Sequence, residues 1–390
     1  MNQKTVLPLI VLSQFAGTSI WFVGNAILPE LKQSLHLPEQ GSGLISSAVN
    51  IGFVAGTLFS AFAALADRFS PVRLFLASAI LGALSNLAII WFVTDIQRLF
   101  WFRFSTGFFL AGIYPIGMKI AADWYKEGLG KALGWLVGAL VIGTAFPYLL
   151  RDRKFDLPWQ TALYITSAMA LLAGILMTWL GDGPHRKAAG KFQWNAIPAI
   201  FSSPSWRKAA FGYFGHMWEL YTFWGFLPLI IALYASKHQL VLNIPLLSFL
   251  VIASGGISCV LGGYLSSRLG SNVVARTALY ISGLCCLFSV LMFNVSLPFF
   301  LAYIFIWGFT VCADSPQFSS LVSQYSIAEQ RGTAFTIYNA IGFTISSLSL
   351  YLMDTLYHSS SNFSGERSFM LLGLGMLLGN FPYRFKRPGR

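Results

Sequence analysis

Twelve hydrophobic stretches, each long enough to cross a lipid bilayer, divide this sequence of 390 residues. A membrane-spanning helix needs about 20 apolar residues. A chain that is 56% hydrophobic and only 10% charged leaves no room for a soluble fold, so we predict an all-α integral membrane protein. The predicted spans are 6–29, 42–64, 72–94, 98–122, 132–150, 160–181, 209–235, 244–266, 274–296, 298–322, 332–354 and 368–385.

The distribution of basic residues predicts the orientation of these spans. A net charge of +12 would suggest a nucleic-acid partner for a soluble protein, but here the Lys and Arg residues fall mainly in alternate loops. If both termini are cytoplasmic, about 17 of them lie inside and about 7 outside, as the positive-inside rule requires. One outer loop, 151–156, is basic, and it is either solvated surface or an entrance that attracts anions. We expect a monomer in the inner membrane of a bacterium, embedded in lipid and without a nucleic-acid partner.

The sequence lacks the motifs of several function classes. It contains no Walker-type nucleotide loop, no dinucleotide fingerprint and no nucleophile elbow. The four cysteines lie inside predicted spans without metal-ligand spacing, and we interpret them as small packing residues. They are Cys259, Cys285, Cys286 and Cys312. We therefore expect neither an enzyme nor an ATP-driven pump, and neither a cofactor nor a metal site.

The chain divides into two halves of six predicted spans each. Its longest polar stretch predicts a cytoplasmic linker at 182–208, between helical bundles at 1–181 and 209–390. The loop after the second span reads ALADRFS, and the loop after the eighth span reads YLSSRLG. Because the same element recurs in both halves, we infer an internal duplication.

These paired loops resemble the signature G-x-L-a-D-r-x-G-r-k of the Major Facilitator Superfamily. The matching residues are Leu65, Asp67 and Arg68 in the first copy and Gly263, Leu265, Arg268 and Gly270 in the second. The run from Arg103 to Gly107 resembles the R-x-x-x-G pattern of the same family. The resemblance implies two pseudo-symmetric six-helix bundles that alternate access to a central cavity lined by the first, fourth, seventh and tenth spans. It also implies a gating role for Asp67, Arg68 and Arg268, for which an ordinary solvated turn is the alternative.

Charged residues inside the apolar segments fall in only three spans. Arg103 and Lys119 lie in the fourth span, Glu219 in the seventh and Asp314 in the tenth. An ionisable group in hydrocarbon costs about 2.5–3.5 kcal/mol, so its default interpretation is a functional one. Arg103 could bind an anionic group or serve a purely structural hydrogen-bonding role. For Lys119, a local ion pair with Asp123 is the preferred interpretation.

The two buried carboxylates predict a proton site. Glu219 and Asp314 lie at similar depth, and His216 precedes Glu219 by one helical turn. Two nearby carboxylates in a low dielectric disfavour simultaneous ionisation, so one of them could hold a proton that His216 shares. We predict proton coupling for all three residues, with hydrogen bonding that only stabilises helix packing as the alternative.

The sequence predicts a proton-coupled secondary transporter for a small polar or anionic organic solute, with import slightly favoured. The alternatives are an exporter of amphipathic or cationic compounds, and a non-transporting sensor or lipid-directed protein on the same fold. The G-x-x-x-G-P signature of drug exporters is missing from the fifth span. Candidate solute-binding residues are polar or aromatic positions in the four spans expected to face the cavity, together with one asparagine of the eleventh span: Trp21, Asn25, Arg103, Tyr114, Tyr221, Trp224, Gln317 and Asn339.

Overall fold

The computed structural model describes residues 3–36, 42–125, 129–152, 154–155, 157–186, 192–359 and 365–384, and this part of the chain is helical without strands. Its α-helices are α1 Gln3–Thr18, α2 Val23–Leu35, α3 Ser42–Phe62, α4 Leu65–Arg68, α5 Pro71–Phe92, α6 Ile96–Leu110, α7 Tyr114–Trp124, α8 Leu129–Leu150, α9 Trp159–Leu180, α10 Ile197–Ser202, α11 Pro204–Lys237, α12 Ile244–Leu269, α13 Ser271–Met292, α14 Leu297–Ala313, α15 Ser315–Tyr325, α16 Arg331–Tyr357 and α17 Leu374–Arg384. Short 3₁₀ helices are Trp194–Ala196, Ala328–Gln330 and Gly365–Gly373.

Eleven helical segments of the described chain are long and apolar enough to cross a membrane. The first, fourth and tenth spans each consist of two helices, α1 with α2, α6 with α7, and α14 with α15. The twelfth predicted span corresponds to the 3₁₀ helix Gly365–Gly373 followed by α17. The seventh span, α11, begins five residues earlier than predicted, at Pro204. Ser203 caps this helix by accepting a hydrogen bond from the Trp206 N–H, and proline is favoured at a first helical position.

The breaks in the fourth and tenth spans lie beside prolines. Pro115 is the second residue of α7, and Pro316 is the second residue of α15, which starts just after the break at Asp314. Proline removes one helical hydrogen bond and clashes with the preceding turn, so each break has a local cause. Pro147 and Pro228, by contrast, lie within the continuous helices α8 and α11. A proline in a span therefore does not by itself break the helix here.

The two halves of the molecule meet along two pairs of spans. α8 packs along α12, and α3 packs along α16. A Cβ added to Gly138 of α8 would lie 2.8 Å from the carbonyl oxygen of Gly256 in α12. Because small residues allow helix backbones to approach closely in a membrane, these glycines set the distance between the halves.

The surface that carries the linker is called the linker side here, and the opposite surface is called the far side. On the far side, the Asn243 amide donates a 2.7 Å hydrogen bond to Asp152 Oδ1, while the Asn243 side-chain oxygen caps α12 through the Leu246 N–H. Beside them, Arg151 donates a 2.6 Å hydrogen bond to Glu30 Oε1. The Asp152–Asn243 contact joins the two halves and must break if the far side opens.

Acid is expected to weaken this far-side contact. Hydrogen bonds from the Lys154 backbone N–H and the Asn243 amide hold the pKa of Asp152 below its ordinary value. A lowered pKa means that the carboxylate stabilises the folded state above its unfolded pKa of about 3.9, and that this contribution is lost as the pH falls toward the folded-state pKa. Thermal unfolding midpoints in detergent, measured from neutral pH downward, should fall more steeply below about pH 4 for the native protein than for Asp152→Asn. Parallel curves would contradict this assignment.

Candidate functional site

Three buried titratable residues form a cluster between the seventh and tenth spans. His216 and Glu219 lie on α11, and Asp314 occupies the break between α14 and α15. Each of the three is at most 1% exposed. His216 Nδ1 lies 2.7 Å from Asp314 Oδ1, although the alignment of the two groups is poor for a hydrogen bond. At this distance two lone pairs would repel each other, so one of the two atoms carries a proton.

Glu219 has hydrogen-bond donors of its own. Trp307 Nε1 donates to Glu219 Oε1 at 2.7 Å, and the Ser282 hydroxyl donates to Oε2 at 3.0 Å. Both donors are neutral, and Glu219 forms no salt bridge among the described residues. The carboxylate is therefore solvated by protein donors, but a negative charge on it is uncompensated. Such a group can take up or release a proton with only small movements of its neighbours.

A small cavity lies beside this cluster at the interface of the two halves. It has a volume of about 30 Å³, which is room for about two water molecules. Tyr114, Tyr221 and Trp224, three of the predicted solute-binding residues, line it. The complete lining is mainly aromatic and aliphatic: Tyr114, Val137, Leu140, Val141, Tyr213, Met217, Leu220, Tyr221, Trp224, Cys259, Cys312, Ser315 and Phe343. Within the part of the chain that the structure describes, this lining contains no carboxylate, guanidinium, amine or imidazole.

Four aromatic rings from both halves pack together beside the cavity. We call Trp21, Phe53, Tyr221 and Phe343 the aromatic plug. The ring centroids of Phe53 and Phe343 are 4.4 Å apart, and those of Trp21 and Tyr221 are 5.7 Å apart. All four residues are at most 2% exposed. All four lie near the middle of their spans, and Tyr221 and Phe343 also line the cavity.

A chain of polar contacts ties the plug across the interface. Trp21 Nε1 donates to Asn50 Oδ1 at 3.3 Å, and the Asn50 amide donates to the Ser346 hydroxyl at 3.0 Å. Trp21 and Asn50 belong to the first half, whereas Ser346 lies on α16 of the second half. The plug is thus held by hydrogen bonds as well as by ring contacts.

Arg103 lies behind Trp21 and outside the cavity lining. It is fully buried, and its guanidinium donates to the carbonyl oxygens of Ile20, at 3.2 Å, and of Trp21, and to Asn86 Oδ1 at 3.4 Å. Ile20 and Trp21 lie in the break between α1 and α2, where carbonyl groups lack helical partners. Arg103 therefore stabilises the non-helical backbone between α1 and α2, and this backbone positions Trp21 in the aromatic plug. This geometry corresponds to the structural alternative for Arg103.

Replacing this arginine should destabilise the protein even when the charge is kept. Arg103→Lys loses the planar fork that reaches two carbonyls and a side-chain amide at once. We expect a loss of about 1–3 kcal/mol, since buried acceptors lose their donors. The measurement is the unfolding midpoint of the purified protein in detergent. Arg98→Lys, a substitution at an exposed residue paired with Asp95, is the matched control and should change little. Equal midpoints for both variants would contradict the bracing role.

A sequence profile of the Major Facilitator Superfamily matches residues 10–350 of the chain. The chain belongs to this superfamily. The structure of the human organic anion transporter MFSD10 (TETRAN) is similar, with a TM-score of 0.71 at 16% sequence identity, and the match covers 98% of this chain and 99% of that one. The uncharacterized protein Cj0987c of Campylobacter jejuni is 24% identical over 287 residues, which is 72% of this chain and 87% of that protein.

Membership confirms the predicted all-α fold of twelve membrane helices. The likeness to MFSD10 at 16% identity shows this fold alone. The protein is an integral membrane protein of a transporter superfamily.

The superfamily signature loop after the second span is tied to the linker. The Ser70 hydroxyl donates to Asp182 Oδ1 at 2.6 Å, and Arg186 pairs with Asp182 Oδ2 at 2.7 Å while donating to the Phe69 carbonyl oxygen at 2.9 Å. These contacts were not predicted from the sequence, because the loop and the linker residues that it contacts lie more than 100 residues apart. They hold the linker against the first half.

The predicted gating residues lie close to the linker side. The side chain of Asp67 lies outside the described part of the chain, whereas Arg68, in α4, and Arg268, in the last turn of α12, are exposed. Their gating role stays a prediction. Lys119 Nζ lies 3.6 Å from Asp123 Oδ1, so the two residues form the local ion pair that was preferred for Lys119.

The other predicted solute-binding residues lie outside the cavity lining. The Asn25 amide donates to the Ser46 hydroxyl at 2.6 Å within the first half. Asn339 is half-buried and accepts a 3.2 Å hydrogen bond from the Tyr213 hydroxyl, so it adjoins the lining through Tyr213. Gln317 is buried, with its amide close to the position that a Cβ on Gly262 would occupy. Binding roles for these three stay predictions.

Several residues of the site were not found from the sequence. Trp307 precedes Asp314 by seven residues, about two helical turns, so its position on the same face was a usable signal. Ser282 and Phe343 offered no such signal, because nothing in their local sequence distinguishes them from other span residues.

Proposed function

We propose that the protein is a secondary transporter that couples movement of a small organic solute to protons by alternating access. The observation that carries this proposal is the position of the cluster of His216, Glu219 and Asp314. It is fully buried and lies directly behind a cavity between the two halves. Ionisable residues at such depth in a membrane are costly, and pathways for ions and protons are their best-known use.

The cavity and the cluster share one wall. Met217 and Leu220 line the cavity, and they neighbour His216 and Glu219 on α11. The ring of Tyr213, also in the lining, stacks on the imidazole of His216 with centroids 5.8 Å apart. A solute that displaces Tyr213 would therefore change the surroundings of the His216–Asp314 pair. This gives a physical link between solute binding and protonation.

Alternating access requires contacts between the halves that can form and break. Between the halves lie the aromatic plug and the Asn50–Ser346 hydrogen bond near the middle of the spans, and the Asp152–Asn243 hydrogen bond at the far side. Rocking of one bundle against the other would break these contacts and expose the cavity to the far side. We propose that this structure represents a state closed on that side.

The cavity lining favours a polar solute over an anionic one. Its described residues provide no basic group, because Arg103 braces the break in the first span and Lys119 pairs with Asp123. MFSD10 is an organic anion transporter, but the lining here gives no direct support for organic anions as solutes of this chain. We propose import together with protons, by a monomer in a bacterial inner membrane with both termini cytoplasmic, an orientation supported by the Lys and Arg distribution.

An exporter of amphipathic or cationic compounds is the second candidate. The observation that favours it is the aromatic lining, since aromatic faces attract organic cations. The two candidates differ in the direction of the proton relative to the solute.

Proteoliposomes with an imposed pH gradient test both candidates. Pools of neutral, anionic and cationic radiolabelled solutes are offered outside the vesicles. Accumulation driven by an acidic exterior supports import with protons, whereas accumulation driven by an acidic interior supports exchange. If no pool accumulates in either gradient beyond the level in protein-free liposomes, coupled transport is wrong.

A further inference from the structure

We propose that the cavity selects a small, uncharged aromatic or heteroaromatic solute that carries a hydrogen-bond acceptor, and that Trp224 donates to this acceptor. The inference names the solute class of the site described above, so it rests on the proposed function. It is carried by three observations on the described residues of the cavity: the absence of formal charge in its lining, the arrangement of its rings, and one buried donor without a strong acceptor.

The absence of formal charge argues against an ionic solute. The described lining holds hydroxyl, thiol and indole groups but no ion. The nearest basic groups have other partners, since Arg103 donates to backbone carbonyls and His216 lies against Asp314, and the Glu219 carboxylate lies behind the lining and not in it. An ion placed in a dry site without a partner loses its hydration and gains little in return. A solute without net charge avoids this cost.

The rings of the lining favour a flat solute. Tyr221 lies next to Phe343 and to Trp224, with centroid distances of 5.2 Å and 5.3 Å and interplanar angles of 52° and 64°. Tilted and edge-to-face rings leave faces available on which a further ring can pack, and such contacts add to the energy of burial. The cavity has room for about two water molecules. A substituted ring enters it as the lining rings separate, as expected of a site between two moving halves.

The indole of Trp224 supplies a donor without a strong acceptor. Trp224 is fully buried, and its Nε1–H reaches no oxygen or nitrogen acceptor within the described chain. The acceptor beside it is the thiol of Cys312, which also lines the cavity and accepts only weakly. Elsewhere in the described chain, by contrast, indole N–H groups donate to a side-chain amide, a carboxylate or a backbone carbonyl, as in Trp21, Trp124, Trp218 and Trp307. An indole can only donate, so a solute that satisfies Trp224 must offer an acceptor.

The first part of the test varies the probe. Benzamide is neutral and aromatic with an acceptor, benzoate and benzylammonium add a negative or a positive charge to the same ring, and cyclohexanecarboxamide keeps the amide without the aromatic ring. The shift in thermal unfolding of the purified full-length protein in lipid nanodiscs, followed over probe concentration, gives a dissociation constant for each. We expect benzamide to bind at least about tenfold more tightly than the other three. Equal or tighter binding of benzoate or benzylammonium, or no binding of benzamide, overturns the proposal.

The second part varies the protein. Trp224→Phe keeps an aromatic ring and removes the donor, and we expect it to weaken benzamide binding about tenfold. Trp206→Phe is the matched control, because Trp206 is also buried, with an Nε1 unpartnered within the described chain, but packs against Phe201 away from the cavity. It should bind benzamide like the native protein. The same loss in both variants, or in neither, overturns the role of Trp224. If Trp224→Phe does not fold, the probe series on native protein still decides the solute class.

The solute class and the proposed function can fail separately. Proton flux that depends on Glu219 and is driven only by charged solutes would overturn the solute class and leave coupled transport standing. Tight benzamide binding without any coupled flux would overturn coupled transport and leave the solute class standing.

Discussion

Glu219→Gln is expected to abolish proton-driven accumulation of solute while solute exchange across the membrane continues. Glutamine has the same shape, and its side-chain oxygen can still accept from Trp307 Nε1, which lies 2.7 Å from Glu219 Oε1. A glutamine amide cannot gain or lose a proton near neutral pH. The solute should therefore equilibrate without being concentrated, and accumulation in a pH gradient should fall to the level seen without a gradient. Radiolabelled uptake and counterflow on the same proteoliposomes measure the two properties.

A second glutamate provides the matched control for this substitution. Glu366 lies at the far side, 3.8 Å from Lys237 Nζ, with its side chain 30% exposed. Glu366→Gln should accumulate solute like the native protein, because surface ion pairs contribute little. Gradient-driven accumulation by Glu219→Gln at the native level would remove this residue from the coupling mechanism. Loss of counterflow in the same variant would indicate a general defect in folding or binding.

Gly107→Ala is expected to destabilise the protein strongly, because the added methyl group has no space. Gly107 on α6 faces the carbonyl group of Val49 on α3, and an added Cβ would lie 2.7 Å from the carbonyl carbon. Gly52 on α3 faces the Phe104 carbonyl oxygen in the same way, so the two helices touch backbone to backbone. Backbone atoms cannot rotate aside as a side chain can. We expect a loss of about 1–3 kcal/mol or more, measured as the unfolding midpoint in detergent and as the amount of protein recovered from membranes.

The control for this substitution is a glycine in open space. Gly263 lies inside α12, and a Cβ built on it meets no atom within 4 Å among the described residues. Gly263→Ala should stay within about 0.5 kcal/mol of the native protein. If both alanine variants unfold at the same temperature, the close approach of α3 and α6 does not limit stability.

Hydropathy and local chemistry predicted much of this structure. Apolar stretches located the spans because hydrocarbon excludes charge over a fixed thickness. The charges in the seventh and tenth spans predicted a buried cluster before any geometry was known. These features follow from single residues or from neighbours in sequence. The Gly107 position also carried a signal, since it belongs to the pattern that resembles the superfamily.

The rest depended on contacts between distant parts of the chain. Asn50 and Ser346 are 296 residues apart, and their hydrogen bond joins the halves. The break between α1 and α2 contains no proline, so only Arg103, more than 80 residues away, shows what holds it. Arg103 was equally compatible with an anion site or a structural role until its partners were known. Ser282 became a partner of Glu219 only through the packing of α13 against α11.

Simultaneous measurement of solute uptake and internal pH in one population of proteoliposomes tests coupled transport most directly. A trapped pH-sensitive dye reports protons, and a radiolabelled solute from the pool that accumulates reports uptake. We expect protons to move only when the solute moves, in a constant ratio that disappears in Glu219→Gln. Solute uptake by the native protein at full rate without any change of internal pH would contradict it.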